Sequence, residues 1–209
     1  MSSISRIGSK QVALNESVSR TMRQVKQALV AFGANMARDG EDPVATIRAA
    51  VAALAESGLT IGKMSRLFAS PCFPPGAGPD YVNAAAVVEV HETAAQVLAR
   101  LHQVEAQFGR QRVQRWGQRV LDLDLLALGD QVWPDPATQD HWRSLGSADQ
   151  RLRAPEQLIL PHPRLQDRAF VLVPLAEVAP DWRHPVLGLT VTEMLARLSP
   201  TDIAAVTPL

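Results

Sequence analysis

Apolar and polar residues recur along the chain with two periods, one suited to strands and one to helices. The short apolar run Leu29 to Phe32 predicts a strand that ends at Gly33-Ala34-Asn35. Behind it, Asp42-Pro43 reads as an N-cap followed by proline in the first helical turn. Val44, Ile47, Val51 and Leu54 then fall at helical spacing until Gly58 supplies a stop. Ile61 to Phe68 suits a second strand. The stretch Ala69 to Asp80 holds four prolines and two glycines and predicts a loop. Tyr81 to Val90 alternates as a strand, with Val82, Ala84, Ala86 and Val88 on one face and Tyr81 and Asn83 on the other. Ala94 to Phe108 predicts an amphipathic helix with Val97, Leu98, Leu101 and Val104 inward, closed by Gly109. Leu121 to Leu128 predicts a further strand, and Phe170 to Val178 and Thr190 to Leu198 predict helices. Pro134 to Pro155 is polar, contains three prolines and reads as a surface insertion. Strands and helices mixed with hairpin-length links predict an α+β fold and not a regular parallel βαβ array.

A length of 209 residues supports one full-sized domain, expected over 28–209, with 1–27 as an N-terminal extension of low core-forming power. The 21 basic and 21 acidic side chains cancel, which argues against a general nucleic-acid or anionic-membrane binder. The segment Met1 to Gln27 lacks the apolar centre of a signal peptide, and no run of about 18 apolar residues is present to span a membrane. Cys72 is the sole cysteine, so no intrachain disulfide can form and a reducing cytoplasm is the expected setting.

Asp122 and Asp124 stand two apart in an apolar strand, so both carboxylates project from one face while Leu121, Leu123 and Leu125 pack behind. Their backbone positions lie roughly 6.5–7 Å apart, close enough to share hard cations. A solvated strand face carrying two aspartates is the competing reading. Arg110, Arg112, Arg115 and Arg119 precede the pair within a short stretch opened by Gly109. Concentrated positive charge beside paired acids suits a polyphosphate bridged through metal ions, because phosphoryl transfer depends on positioning and charge neutralisation. Arginines that merely solvate a loop are the rival account, and Trp116 could instead serve as a stacking platform for RNA. The neutral chain, with one arginine-rich loop, argues against RNA.

The run Arg115-Trp116-Gly117-Gln118-Arg119-Val120-Leu121-Asp122-Leu123-Asp124 resembles the signature of the 6-hydroxymethyl-7,8-dihydropterin pyrophosphokinase family. Two further blocks agree in order: Pro79-Asp80-Tyr81-Val82-Asn83-Ala84-Ala85, and the stretch from Pro161-His162-Pro163-Arg164 through Arg168 and Phe170 to Leu175. The resemblance implies a ferredoxin-like sandwich with a mostly antiparallel sheet flanked by helices. It also implies transfer of the pyrophosphoryl group of Mg-ATP to the pterin hydroxymethyl oxygen, with release of AMP. In this light Asp122 and Asp124 hold two Mg²⁺ ions, and Arg115 and Arg119 act with them as catalytic residues. ATP falls to His102, Glu105, Arg110, Arg112, Arg115, Trp116, Arg119, Leu125, His162 and Arg168. The pterin falls to Ser70, Pro71, Phe73, Tyr81, Asn83, Trp116, Asp122 and Phe170, with Tyr81 and Phe170 sandwiching the ring and Asn83 reading its polar edge. The chain departs from the pattern at Gly33-Ala34-Asn35, where a serine is usual at the middle position, and at His102, where glutamine is common. Small-molecule substrates and a monomer are the partner expectations. A homologue that binds pterin or nucleotide without catalysis is the alternative, against which the retained aspartates and arginines speak.

Overall fold

The computed structural model describes residues 25–37, 40, 42–72, 78–109, 120–146, 149 and 152–209. Among the described residues six strands form one sheet: β1 (Lys26–Ala34), β2 (Thr60–Met64), β3 (Phe68–Ser70), β4 (Tyr81–Val90), β5 (Asp122–Leu128) and β6 (Thr207–Pro208). The order is β5-β1-β4-β3-β6, β2 pairs with β4 beside β3, and every pairing is antiparallel. Helices α1 (Pro43–Glu56) and α2 (Ala94–Gln107) cover one face, over Val30, Phe32, Ala84, Ala86, Val88 and Leu123. Helices α4 (Ala169–Val178) and α5 (Val191–Leu195) cover part of the other, over Leu29, Ala85, Val87 and Leu126. This is the antiparallel α+β sandwich of the ferredoxin-like class.

Local sequence signals account for most helix ends. Asp42 accepts from the Ala45 N–H at 2.8 Å with Pro43 behind it, and Thr93 forms a capping box with Gln96 at the start of α2. Strand limits followed tertiary partners instead. β1 begins at Lys26, earlier than the apolar run, because β4 pairs it through Lys26 opposite Val90. The single strand expected over Ile61 to Phe68 is broken between Met64 and Phe68. Ser65 donates its N–H to the Ala85 carbonyl at 2.9 Å, and its hydroxyl accepts from the Ala85 N–H at 2.9 Å. A side chain thus takes the place of a ladder carbonyl. Arg66 turns away to Glu177, which accepts from its N–H at 2.9 Å and its Nε at 2.7 Å.

Two elements were absent from the apolar pattern. The polar stretch 134–155 carries α3 (Pro136–Ser144), and α6 (Pro200–Ala204) precedes β6. Asp135-Pro136 and Ser199-Pro200 repeat the cap-then-proline signal of Asp42-Pro43, so the cue was present without an apolar stripe to support it. Helix α5 stops at Leu195, short of Leu198, and Thr190 is its N-cap.

His184 is wholly buried, and its Nδ1 accepts from the Val186 and Leu187 N–H groups at 3.2 Å each. Burial first, and then the Arg143 charge, push its pKa from the ordinary 6.5 down to about 4. The unfolded chain therefore takes up this proton first as pH falls. Stability is present above pH 6.5 and drains between about 6.5 and about 4. His184→Asn keeps an acceptor at the Nδ1 position and removes the titration. Urea midpoints measured from pH 7.5 to 4.5 are expected to fall less steeply in the variant, by up to about 1.4 kcal/mol per pH unit. Parallel profiles would refute the assignment.

Candidate active site

The sheet face lined by Ala31 and Ala85 lies under α4 and α5, and toward Gly33 it carries residues of four strands. Asp122 of β5 lies opposite Gly33 of β1, and Gly33 lies opposite Asn83 of β4. A Cβ placed on Gly33 would stand 3.7 Å from Asn83 Oδ1 and 3.9 Å from the Cβ of Asp122. The carboxylate and the amide thus flank one gap, which the glycine keeps clear. One row further in, Asp124 lies opposite Ala31, which lies opposite Ala85, so the face stays low there as well. Leu123 and Leu125 point the other way into the core, as the alternation required. Both aspartates are partly exposed on an edge strand.

The Asn83 amide is buried and aimed by Ser70: its Nδ2 donates to Ser70 Oγ at 2.8 Å. Tyr81 pairs with Ser70 across β3 and β4 at the same end. Asn35 donates from Nδ2 to the Pro79 carbonyl at 3.2 Å, tying the Gly33-Ala34-Asn35 turn to the loop before Tyr81. Cys72 holds the near side of that loop, donating its N–H to Asp80 Oδ1 at 3.3 Å and its Sγ–H to the Gly78 carbonyl at 3.0 Å. Pro71 is exposed beside Ser70.

The third wall follows β5. The β1–β5 register shifts by one residue between Leu29 and Val30, so Leu126 has no opposite partner in β1. The Leu126 carbonyl accepts instead from the His162 N–H at 2.8 Å. Burial, then the charges of Arg168 and Arg164, push the His162 pKa from 6.5 to about 3, while Asp122 opposes the fall. At neutral pH the ring is uncharged. Its Nδ1 accepts from the Arg164 N–H at 3.1 Å, which leaves the ring proton on Nε2. Arg168 stands at the N-terminal end of α4 with its guanidinium carbon 5.6 Å from the centre of the Phe170 ring, and Phe170 is 40% exposed. Asp122, Arg164 and Arg168 are thus each within electrostatic reach of His162, although Asp122 is about forty residues away in sequence.

Two of the residues assigned to ATP are buried. Glu105 is 1% exposed and turned inward, where its Oε1 accepts from the Leu123 N–H at 2.7 Å. It holds the peptide between the two aspartates. Leu125 is a core side chain. His102 lies one turn before Glu105 on α2 and is partly exposed. Phe73, Arg110, Arg112, Arg115, Trp116 and Arg119 lie outside the described residues. Among the described residues no group of three or more His, Cys, Asp or Glu side chains gathers as a metal site. None of the helices is long and apolar enough to cross a membrane among those residues.

The profile of the family described as 7,8-dihydro-6-hydroxymethylpterin-pyrophosphokinase matches residues 29–180. The 2-amino-4-hydroxy-6-hydroxymethyldihydropteridine pyrophosphokinase of Synechocystis sp. is 35% identical over 188 residues, 89% of this chain and 83% of the relative. The enzyme of the same name from Pseudomonas aeruginosa is 34% identical over 175 residues, 82% of this chain and 91% of the relative. Among solved structures, wild-type HPPK-DHPS of Plasmodium falciparum has a TM-score of 0.58 at 14% identity, covering 83% of this chain. That likeness bears on the fold, and the present chain matches 45% of the longer protein.

Proposed function

This chain belongs to the 7,8-dihydro-6-hydroxymethylpterin-pyrophosphokinase family, and from that premise we propose that Asp122 and Asp124 serve the ATP phosphates while Asn83, Ser70 and Tyr81 receive the pterin. The reaction is transfer of a pyrophosphoryl group from ATP to hydroxymethyldihydropterin in folate biosynthesis. The observation that carries the residue assignment is the cross-strand row Asp122–Gly33–Asn83. It sets a carboxylate and an oriented amide on either side of a gap with no side chain in it.

Two carboxylates on one strand face, Asp122 and Asp124, offer the hard oxygens that suit Mg²⁺, which completes its shell with water and substrate phosphates. Asp122 and Asp124 would hold it, as one or two ions. Bound Mg²⁺ supplies neutralisation of phosphate charge. Around that pair the chain contributes its own electrostatics. The neutral His162 offers an Nε2–H donor, and Arg168 offers a fixed cation and a fork for phosphate oxygens. Arg110, Arg112, Arg115, Trp116 and Arg119 are assigned to ATP by their motif. His102 belongs to the nucleotide side. On the pterin side, Asn83 presents hydrogen-bonding capacity to the heterocycle edge. Tyr81 and the exposed Phe170 offer apolar faces for its plane, Pro71 stands beside Ser70, and Phe73 is assigned to the pterin by its motif. Glu105 acts through the strand backbone, keeping the two carboxylates in step.

The test is AMP release. Purified protein given ATP, Mg²⁺ and 6-hydroxymethyl-7,8-dihydropterin is expected to form AMP and pterin diphosphate in equal amounts. Omitting the pterin, or chelating Mg²⁺, returns AMP to background. AMP that appears at the same rate without the pterin would overturn the assignment.

A further inference from the structure

The helix α3 lies in the polar segment that the sequence pattern set apart, and the one residue it buries is a glutamine. Gln139 is 0% exposed, and its Nε2 donates to the Pro161 carbonyl at 3.2 Å. Only the amide nitrogen can donate to a carbonyl, so this contact sets which way the amide faces. The other end of the amide, Oε1, has no hydrogen-bond partner among the described residues. A half-satisfied buried amide stabilises a fold poorly, and an apolar side chain of the same shape would pack as well. The placement of Gln139 is better explained by the group it holds.

That group belongs to the candidate site. The carbonyl of Pro161 and the N–H of His162 are two ends of one peptide unit. Gln139 holds the carbonyl, and the Leu126 carbonyl of β5 accepts from the N–H at 2.8 Å. A planar unit held at both ends cannot rotate about its flanking bonds, and its orientation sets the direction in which the His162 side chain leaves the backbone. The neighbouring backbone is fixed too, since Trp133 and Leu160 exchange N–H to carbonyl bonds at 2.8 and 3.0 Å. One clamp point therefore comes from the strand that carries Asp122 and Asp124, and the other from α3.

We propose that Gln139 is a positioning residue that orients His162 toward ATP through the Pro161 carbonyl, which makes α3 part of the nucleotide side of the site. This rests on the reading of His162 as a nucleotide contact, and the experiment separates the two. Steady-state kinetics of the full chain are measured for Gln139→Met, His162→Ala and the double variant, with activity expressed per folded molecule from near-UV circular dichroism. Gln139→Met is expected to raise KM for ATP about five-fold, the scale of one lost hydrogen bond, with KM for the pterin and kcat within about two-fold of the parent. In the double variant, KM for ATP should match His162→Ala alone, because both changes act through one ring.

An unchanged KM for ATP in Gln139→Met, with a raised one in His162→Ala, refutes Gln139 and leaves His162 standing. An unchanged KM for ATP in His162→Ala removes the His162 reading and the proposal with it. A full Gln139→Met effect on top of His162→Ala, or an equal rise in both KM values, also overturns it. Should the methionine variant fail to fold, Gln139→Leu likewise removes the donor and adds no charge to the buried position. It is expected to show the same ATP-specific rise, and a pterin-specific or absent rise would refute the proposal.

Discussion

Replacing Asp124 with alanine is expected to lower kcat by about three orders of magnitude and to leave the thermal midpoint almost unchanged. The two halves of this expectation have separate causes. Asp124 sits on the edge strand β5 opposite Ala31, partly exposed, with its carboxylate on the face away from the Leu123 and Leu125 core. Removing it takes nothing from that core, and the strand tolerates alanine at a cost under about 1 kcal/mol. Transfer of a pyrophosphoryl group, in contrast, offers little covalent work for a protein and relies on charge neutralisation at the phosphates. On the proposed assignment, the loss of one of two carboxylates would leave a divalent cation without a defined place. Single-turnover AMP release and a thermal melt on the same preparation check both halves. Turnover within tenfold of the parent, in a variant that still binds ATP, would show that Asp124 is only a surface residue.

Glu105→Ala is the second large effect, and it divides differently. The buried carboxylate accepts from the Leu123 N–H at 2.7 Å, so alanine strands that donor inside the protein. The expected cost is about 2 kcal/mol of stability, the usual penalty for a buried donor left without its acceptor. Leu123 is the residue between Asp122 and Asp124, so the slackened peptide also lets the two carboxylates drift relative to each other. A loss of about ten-fold or more in kcat is expected from that misplacement. Glu105→Gln retains a carbonyl oxygen for the Leu123 N–H and should keep more of both properties. Urea unfolding and kcat measured side by side test the coupling. If stability falls while kcat per folded molecule holds, Glu105 supports the fold without aligning the site.

Much of the protein could be read from residue order. The helices of the first core follow from apolar spacing bounded by Asp42-Pro43, Gly58 and Gly109, all of which act within a turn or two of chain. The strand Tyr81 to Val90 and its two faces follow from simple alternation. The same alternation put Asp122 and Asp124 on one side. Where the reading missed, the missing term was a partner distant in sequence. Ser65 breaks a strand because Ala85 is beside it, Lys26 joins a strand because Val90 is opposite, and α3 stands on a cap signal with no apolar stripe.

The site divides along the same line. By itself the sequence determined which chemistry is carried, because residue types and their order are local: paired aspartates after arginines, an aromatic and an amide on one strand face, a histidine between prolines. Tertiary structure alone decided how these meet. Gly33 clears the gap between Asp122 and Asn83 only because β1 lies between β4 and β5. The register shift that frees the Leu126 carbonyl for His162, and the inward turn of Glu105 onto Leu123, likewise exist only between elements. Hydrogen bonds across the sheet join residues far apart in the chain, and no local pattern of apolar and polar positions encodes which of them will be neighbours.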